Sequence, residues 1–145
     1  MQDLKVKPFL KWAGGKNQLL ADIRLKYPNQ VDTYCEPFVG GGAVLLDILS
    51  LKKPKTILIN DINKELINTY IQVQNDVDNL IIELSNLQEK YWKLSIDEKK
   101  EFYLSKRKIF NQLKFTDGNS FEKAILFIFL NKTCFNGLYR VNRKG

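Results

Sequence analysis

Three stretches of the sequence have residue types and spacings suited to chemistry. The first is Glu36-Pro37-Phe38-Val39-Gly40-Gly41-Gly42, followed at Asn60-Asp61 by an isolated acid. A glycine-rich turn between a strand and a helix lets backbone amides approach a ligand closely, and the helix N-terminus favours a carboxylate or phosphate there. Asp61, at the tip of a second strand, is placed to accept hydrogen bonds from ribose hydroxyls. The pair points to a nucleoside ligand, although three glycines can equally make a plain tight turn and an acid after a strand can equally cap a helix. The nicotinamide-dinucleotide fingerprint fails, because Leu45 and Val44 stand where its third glycine belongs. A phosphate-binding P-loop fails too: Gly15-Lys16 is followed by Asn17, and Leu10 occupies the upstream glycine position. The second stretch is Pro8-Phe9-Leu10-Lys11-Trp12-Ala13-Gly14-Gly15-Lys16, a Trp between lysines and glycines that has little reason to exist as core packing. In the third, no acid follows Glu122, and Lys123, Lys132, Arg140, Arg143 and Lys144 alternate with Phe135 and Tyr139, a combination suited to nucleic acid. A solvated cationic tail is the other reading of that segment.

The elements that position these residues follow from hydrophobic periodicity. Tyr34 to Phe38 reads as a strand after the turn-prone Tyr27-Pro28-Asn29-Gln30, and Ala43 to Leu51 reads as an apolar helix. Lys52-Lys53-Pro54-Lys55 breaks that helix, and Thr56 to Ile59 is a short β-branched run expected as a buried parallel strand. Strand, helix and strand in this order predict a right-handed βαβ unit in a parallel sheet, and two strands are too few to complete one. From Asn63 the pattern is helical: Leu66, Ile67, Tyr70, Ile71 and Val73 form an apolar face that Leu80, Ile81, Leu84, Leu87, Tyr91 and Trp92 continue. Ser95-Ile96-Asp97-Glu98 has capping-box spacing and opens a helix carrying Phe102, Tyr103, Ile109, Phe110 and Leu113. After the loop Asp117 to Ser120, whose last residue is an expected N-cap, Phe121 to about Asn131 is apolar all round and reads as a buried helix. No repeat or Pro/Gly-rich linker interrupts the chain, which reads as one compact unit.

Composition narrows the function further. Lys and Arg number 23 against 16 Asp and Glu, a net charge of +7 that favours polyanionic partners. Histidine is absent, which excludes Ser-His-Asp triads, Cys-His pairs and His metal ligands. The two cysteines, Cys35 and Cys134, fit neither a disulfide-dense secreted module nor a zinc site, so a reducing cytoplasm is expected. The longest apolar run, Ala124 to Leu130, falls short of the roughly 20 residues of a membrane span, and no secretion signal is recognisable.

Taken together, Phe-Leu-Lys-Trp-Ala-Gly-Gly-Lys (9–16), Glu-Pro-Phe-Val-Gly-Gly-Gly (36–42), Asn-Asp-Ile-Asn (60–63), and Leu130-Asn131-Lys132 with Phe135 to Asn142 resemble the motifs of Dam-type (D12 class) DNA adenine-N6 methyltransferases. The resemblance implies an α/β chain: a partial Rossmann-like fold of the S-adenosylmethionine-dependent methyltransferases with a largely helical DNA-recognition portion. Residues 1–75 would form the cofactor-binding part and 76–145 the DNA-recognition part. It also implies site residues. Trp12 and Lys16 match cofactor-pocket positions, an indole packing on the ligand and an ammonium pairing with its carboxylate. Glu36 and Phe38 fall in a pocket-lining motif, Gly40 and Gly42 match glycines around the methionine moiety, and Asp61 matches the acid that binds the ribose. On the DNA side, Arg140 matches an arginine that reads a guanine edge, Phe135 an aromatic beside the flipped base, and Asn136 a backbone contact. Lys11 matches a lysine near the flanking sequence, while Leu138 and Asn142 belong to the same recognition segment.

The sequence departs from the family at one motif. Its prolines stand only at 8, 28, 37 and 54, so the Asp-Pro-Pro-Tyr type motif that holds and stacks the target adenine is absent. An N-terminal portion of such an enzyme is therefore expected, inactive by itself and without catalytic or metal-binding residues of its own. Its partners would be S-adenosyl-L-methionine, duplex DNA carrying a GATC-like site, and a C-terminal half supplied by another chain. The alternative is a non-catalytic nucleoside- and DNA-binding module that needs a partner chain. Restriction-modification, a phage and a host housekeeping role are all compatible settings.

Overall fold

The computed structural model describes residues 6–134, so Phe135, Asn136, Leu138, Arg140 and Asn142 lie outside the described residues. Two short strands, β1 (Thr33–Glu36) and β2 (Thr56–Ile59), pair in parallel with Thr33 opposite Thr56 and Glu36 opposite Ile59. The helix between them, α2 (Ala43–Leu51), begins at Gly42, whose left-handed φ of 77° turns the chain from loop to helix. It stops at Lys52, after which Lys53 is left-handed (φ 49°) and Pro54 cannot continue a helix. A 3-10 turn (Lys16–Leu19) and the short α1 (Leu20–Arg24) precede β1. Together these make a mixed element with a small parallel two-stranded sheet. The expected strand from Tyr34 to Phe38 is thus displaced toward the N-terminus: Pro37 and Phe38 already belong to the turn.

The sheet differs from expectation in its burial. Ile57 is 37% and Leu58 56% exposed, so β2 is a parallel strand but not a buried one. The physical reason is that no third strand and no layer of apolar side chains covers β2 among the described residues. Burial in this part of the chain gathers instead around α2 and the glycine loop, at Leu10, Val39, Val44, Leu45 and Ile48.

The remaining helices are α3 (Lys64–Asn75), α4 (Val77–Trp92), α5 (Ile96–Leu113) and α6 (Ser120–Thr133). Asn63 caps α3, its side-chain oxygen accepting from Leu66 N at 2.9 Å. The apolar face expected to run on without interruption is broken at Asp76, whose φ of −152° ends α3 and starts α4. The capping box of α5 forms in full: Glu98 Oε2 accepts from Ser95 N at 2.8 Å, and Ser95 Oγ accepts from Glu98 N. At α6 the cap is Asn119 and not Ser120; Asn119 adopts a left-handed φ of 52°, a conformation Asn tolerates well. As expected, α6 is buried on nearly all sides, with Ala124, Leu126, Phe127, Ile128 and Phe129 in the core. Tyr91 and Phe102 meet Phe129 edge-on, with centroids 5.4 and 5.8 Å away.

The chain forms two compact units that divide between Ile62 and Asn63. The reading of one unit is corrected here: the boundary is a turn of a few residues that hands β2 to a capped helix, too short to show as a linker in composition.

Candidate functional site

The glycine loop is built by hydrogen bonds that tie it to the end of β2. Asn60 N donates to Glu36 O and Val39 N donates to Asn60 O, both at 2.9 Å, so one residue of β2's end spans the turn at 36–39. Gly40 N then donates to Asp61 Oδ2 at 3.0 Å. Gly40 itself is left-handed, with φ of 50°, and a methyl group there would stand 2.9 Å from Trp12 Cδ1. The N-terminal motif therefore lies directly against the glycine loop: the indole occupies the space a side chain at residue 40 would need.

An open cleft of about 1350 Å³ results. Trp12, Lys16, Phe38, Gly40, Gly42 and Asp61 all line it, and so does Lys11, which the family resemblance places near DNA. Phe38 is 73% exposed at its rim. Glu36 is placed differently. It is buried, and its carboxylate accepts from Tyr34 Oη at 2.7 Å and pairs with Lys16 Nζ at 3.4 Å. Lys16 Nζ also donates to Phe38 O at 3.1 Å. The ammonium thus belongs to the loop's own scaffold while facing the cleft. Burial, and then the bond to Glu36, pushes the Tyr34 hydroxyl far above its ordinary value.

The sequence reading missed a second polar tie. Asp47 is buried on α2, and Arg24 reaches it from α1 with both Nε and Nη2, Nε lying 3.0 Å from each oxygen. Tyr27 Oη donates to the same carboxylate at 3.1 Å. Arg24 and Asp47 both line the cleft. Burial and the bond to Asp47 push the Tyr27 hydroxyl up to about 12. The signal was present: an Asp in the middle of the apolar run Ala43 to Leu51 needs a partner if it is buried.

In the helical unit, Asn131 of the expected recognition segment is buried, Leu130 half-buried and Lys132 exposed. Lys123 is also buried, and its ammonium donates to Thr116 O at 2.7 Å. Neither Cys35 nor Cys134 is joined in a disulfide among the described residues, and Cys134 Sγ lies 3.6 Å from Asn131 O. No helix among the described residues is long and apolar enough to cross a membrane.

With this geometry established, comparison with known proteins identifies the class. Residues 12–145 match the family described as D12 class N6 adenine-specific DNA methyltransferase, and the chain belongs to that family. It is 49% identical to Type II methyltransferase M.MjaIII of Methanocaldococcus jannaschii, covering 98% of this chain and 50% of that protein. It is 37% identical to the DNA adenine methylase of Haemophilus influenzae, over 98% of this chain and 46% of the relative. It is also 36% identical to the DNA N-6-adenine-methyltransferase of Escherichia phage P1, where the match covers 99% of this chain and 18% of the phage protein. The chain spans about half the length of the first two relatives.

Proposed function

We propose that this chain is the cofactor-binding and DNA-approaching portion of a site-specific methyltransferase that acts on N6 of adenine in duplex DNA. The observation that carries the reading is the joint between Trp12, Gly40 and Asp61 in one open cleft. The cleft suits S-adenosylmethionine, whose sulfonium supplies an activated methyl group. The glycines of the turn leave room for a ligand to approach the backbone closely, Asp61 offers acceptor oxygen for ribose hydroxyls, and Trp12 offers a flat apolar wall. Lys16 can attract the methionine carboxylate while held by Glu36 and Phe38 O. On this reading β1, α2 and β2 belong to a larger Rossmann-like sheet. Residues 1–75 serve the cofactor, with Lys11 directed at the flanking DNA, and 76–145 serve DNA through the segment from Phe135 to Asn142, directed at a GATC-like site. The exposed β2 favours a further polypeptide, carrying the adenine-holding motif, as partner. A cytoplasmic setting fits two cysteines that are not paired in a disulfide among the described residues.

Isothermal calorimetry with S-adenosylhomocysteine tests the assignment. Asp61→Ala is expected to lose about 1.5–3 kcal/mol of binding, the worth of hydrogen bonds to a charged acceptor. Asp61→Asn, which keeps an acceptor for Gly40 N, separates loss of the ribose contact from loss of the loop's anchor. Equal affinity of the wild-type chain and Asp61→Ala overturns the assignment.

A further inference from the structure

The C-terminal half of α5 differs in charge from every other helix surface in its unit. Residues 102–116 contain Lys106, Arg107, Lys108 and Lys114 and no acid, whereas α4 carries Asp78, Glu83 and Glu89 against a single Lys90. The side chains at 104, 107, 108, 111, 112 and 115 recur at helical spacing and line a shallow depression of about 430 Å³. Its polar groups are all able to donate: the guanidinium of Arg107, the ammonium of Lys108 and the amides of Asn111 and Gln112, all four residues exposed. Leu104 and Phe115, 41% and 74% exposed, complete it. Among the described residues neither Arg107 nor Lys108 has an acidic partner within ion-pair distance. Arg107 lies over the Tyr103 ring (5.9 Å) and Lys114 over Phe115 (5.7 Å), contacts that restrain long cationic side chains before anything binds.

Such a surface has the wrong shape for a small molecule, being shallow and open, and it offers donors and positive charge without a carboxylate to balance them. From Leu104 to its end at Leu113 the helix rises about 14 Å, and Phe115 follows in the next turn, a span that covers several successive phosphates at roughly 3.4 Å of rise each. We propose that this face of α5 is a second DNA-contacting surface, one that holds the phosphodiester backbone of the duplex independently of the segment from Phe135 to Asn142. It rests on the reading of the chain as part of a DNA methyltransferase. Its role is positioning: phosphate contacts fix register and residence on DNA and carry no sequence information.

The test uses the full chain and a duplex of arbitrary sequence, followed by fluorescence anisotropy at two salt concentrations. The Arg107→Gln/Lys108→Gln pair is expected to weaken binding about tenfold at low salt and to lower the salt slope by nearly two, about 0.9 for each phosphate that is no longer neutralised. Lys90→Gln/Lys93→Gln, which removes the same charge from exposed positions on α4 and just after it, is expected to cost less than threefold. As a readout independent of charge, Phe115→Trp is expected to change its emission when duplex is added, by more than the wild-type chain does. The proposal is overturned if the two double variants bind alike, if Phe115→Trp does not respond, or if polyglutamate displaces the chain as well as duplex does. Calorimetry with S-adenosylhomocysteine on the same samples reports the cofactor reading separately, so loss of one conclusion is distinguishable from loss of the other.

Discussion

The two units stabilise themselves by different means. In the second, residues 80, 110, 124 and 126–129 bury aliphatic and aromatic side chains, and α6 is buried on nearly all sides. In the first, a small apolar cluster is supplemented by polar ties: Arg24 and Tyr27 on Asp47, Lys16 and Tyr34 on Glu36, and Gly40 N on Asp61. Apolar packing is non-directional and tolerates reshaping, whereas a hydrogen-bonded carboxylate fixes a neighbour's position within a few tenths of an ångström. A unit that must hold an open cleft in shape is served by the second kind of force, and one that must present a surface is served by the first.

Mutations in each region break or sharpen that contrast. The largest effect is expected from Phe127→Ala, which removes a ring 2% exposed that packs beside Phe110, at a cost of about 3–5 kcal/mol in urea denaturation. A loss below about 1 kcal/mol would show that the helical unit does not depend on its aromatic core. Next is Asp47→Asn. It leaves the fold's apolar contacts alone but removes a charged acceptor shared by Arg24 and Tyr27, and a loss of about 1.5–3 kcal/mol is expected. The same tie has a pH signature. Tyr27 holds its proton up to about pH 12 in the folded chain, where the unfolded chain releases it near 10.0. This contribution is therefore complete below pH 10.0 and lost as pH rises toward 12. The difference in denaturation midpoint between wild type and Tyr27→Phe should shrink across that window. The smallest effect is Ser95→Ala, which opens the capping box of α5 at a cost of about 1 kcal/mol.

How much of this was legible in the sequence depended on the range of the determining interaction. The bounds of α2 and β2, and the capping box at Ser95, match because apolar runs, Pro54 and the Ser-x-x-Glu spacing act locally. The break at Asp76 was not legible, since neither Pro nor Gly marks it and the apolar period continues across it. The exposure of β2 was not either: β-branched residues look the same whether or not another layer covers them. In the cleft, Trp12, Gly40 and Asp61, which the motifs single out, line one cavity. Glu36 as a buried brace for Lys16, and the Arg24–Asp47 pair, depend on contacts more than 19 residues apart in the chain, which spacing alone does not disclose.

The hydrogen bonds at Asn60 and Asp61 also bear on how two strands find their alignment. Side chains on paired strands alternate between faces, so burial of one face ordinarily selects the alignment, and a slip by one residue is penalised because every apolar group changes sides. Here β2 is exposed along most of its length, and that selection is weak. A one-residue slip would bring Asn60 or the 94% exposed Ile62 to the place of Asp61, leaving Gly40 N without its carboxylate. The turn that shapes the cleft thereby proofreads the sheet: correct strand alignment and a correctly formed loop are one event, and a misaligned pair would declare itself by losing the cleft.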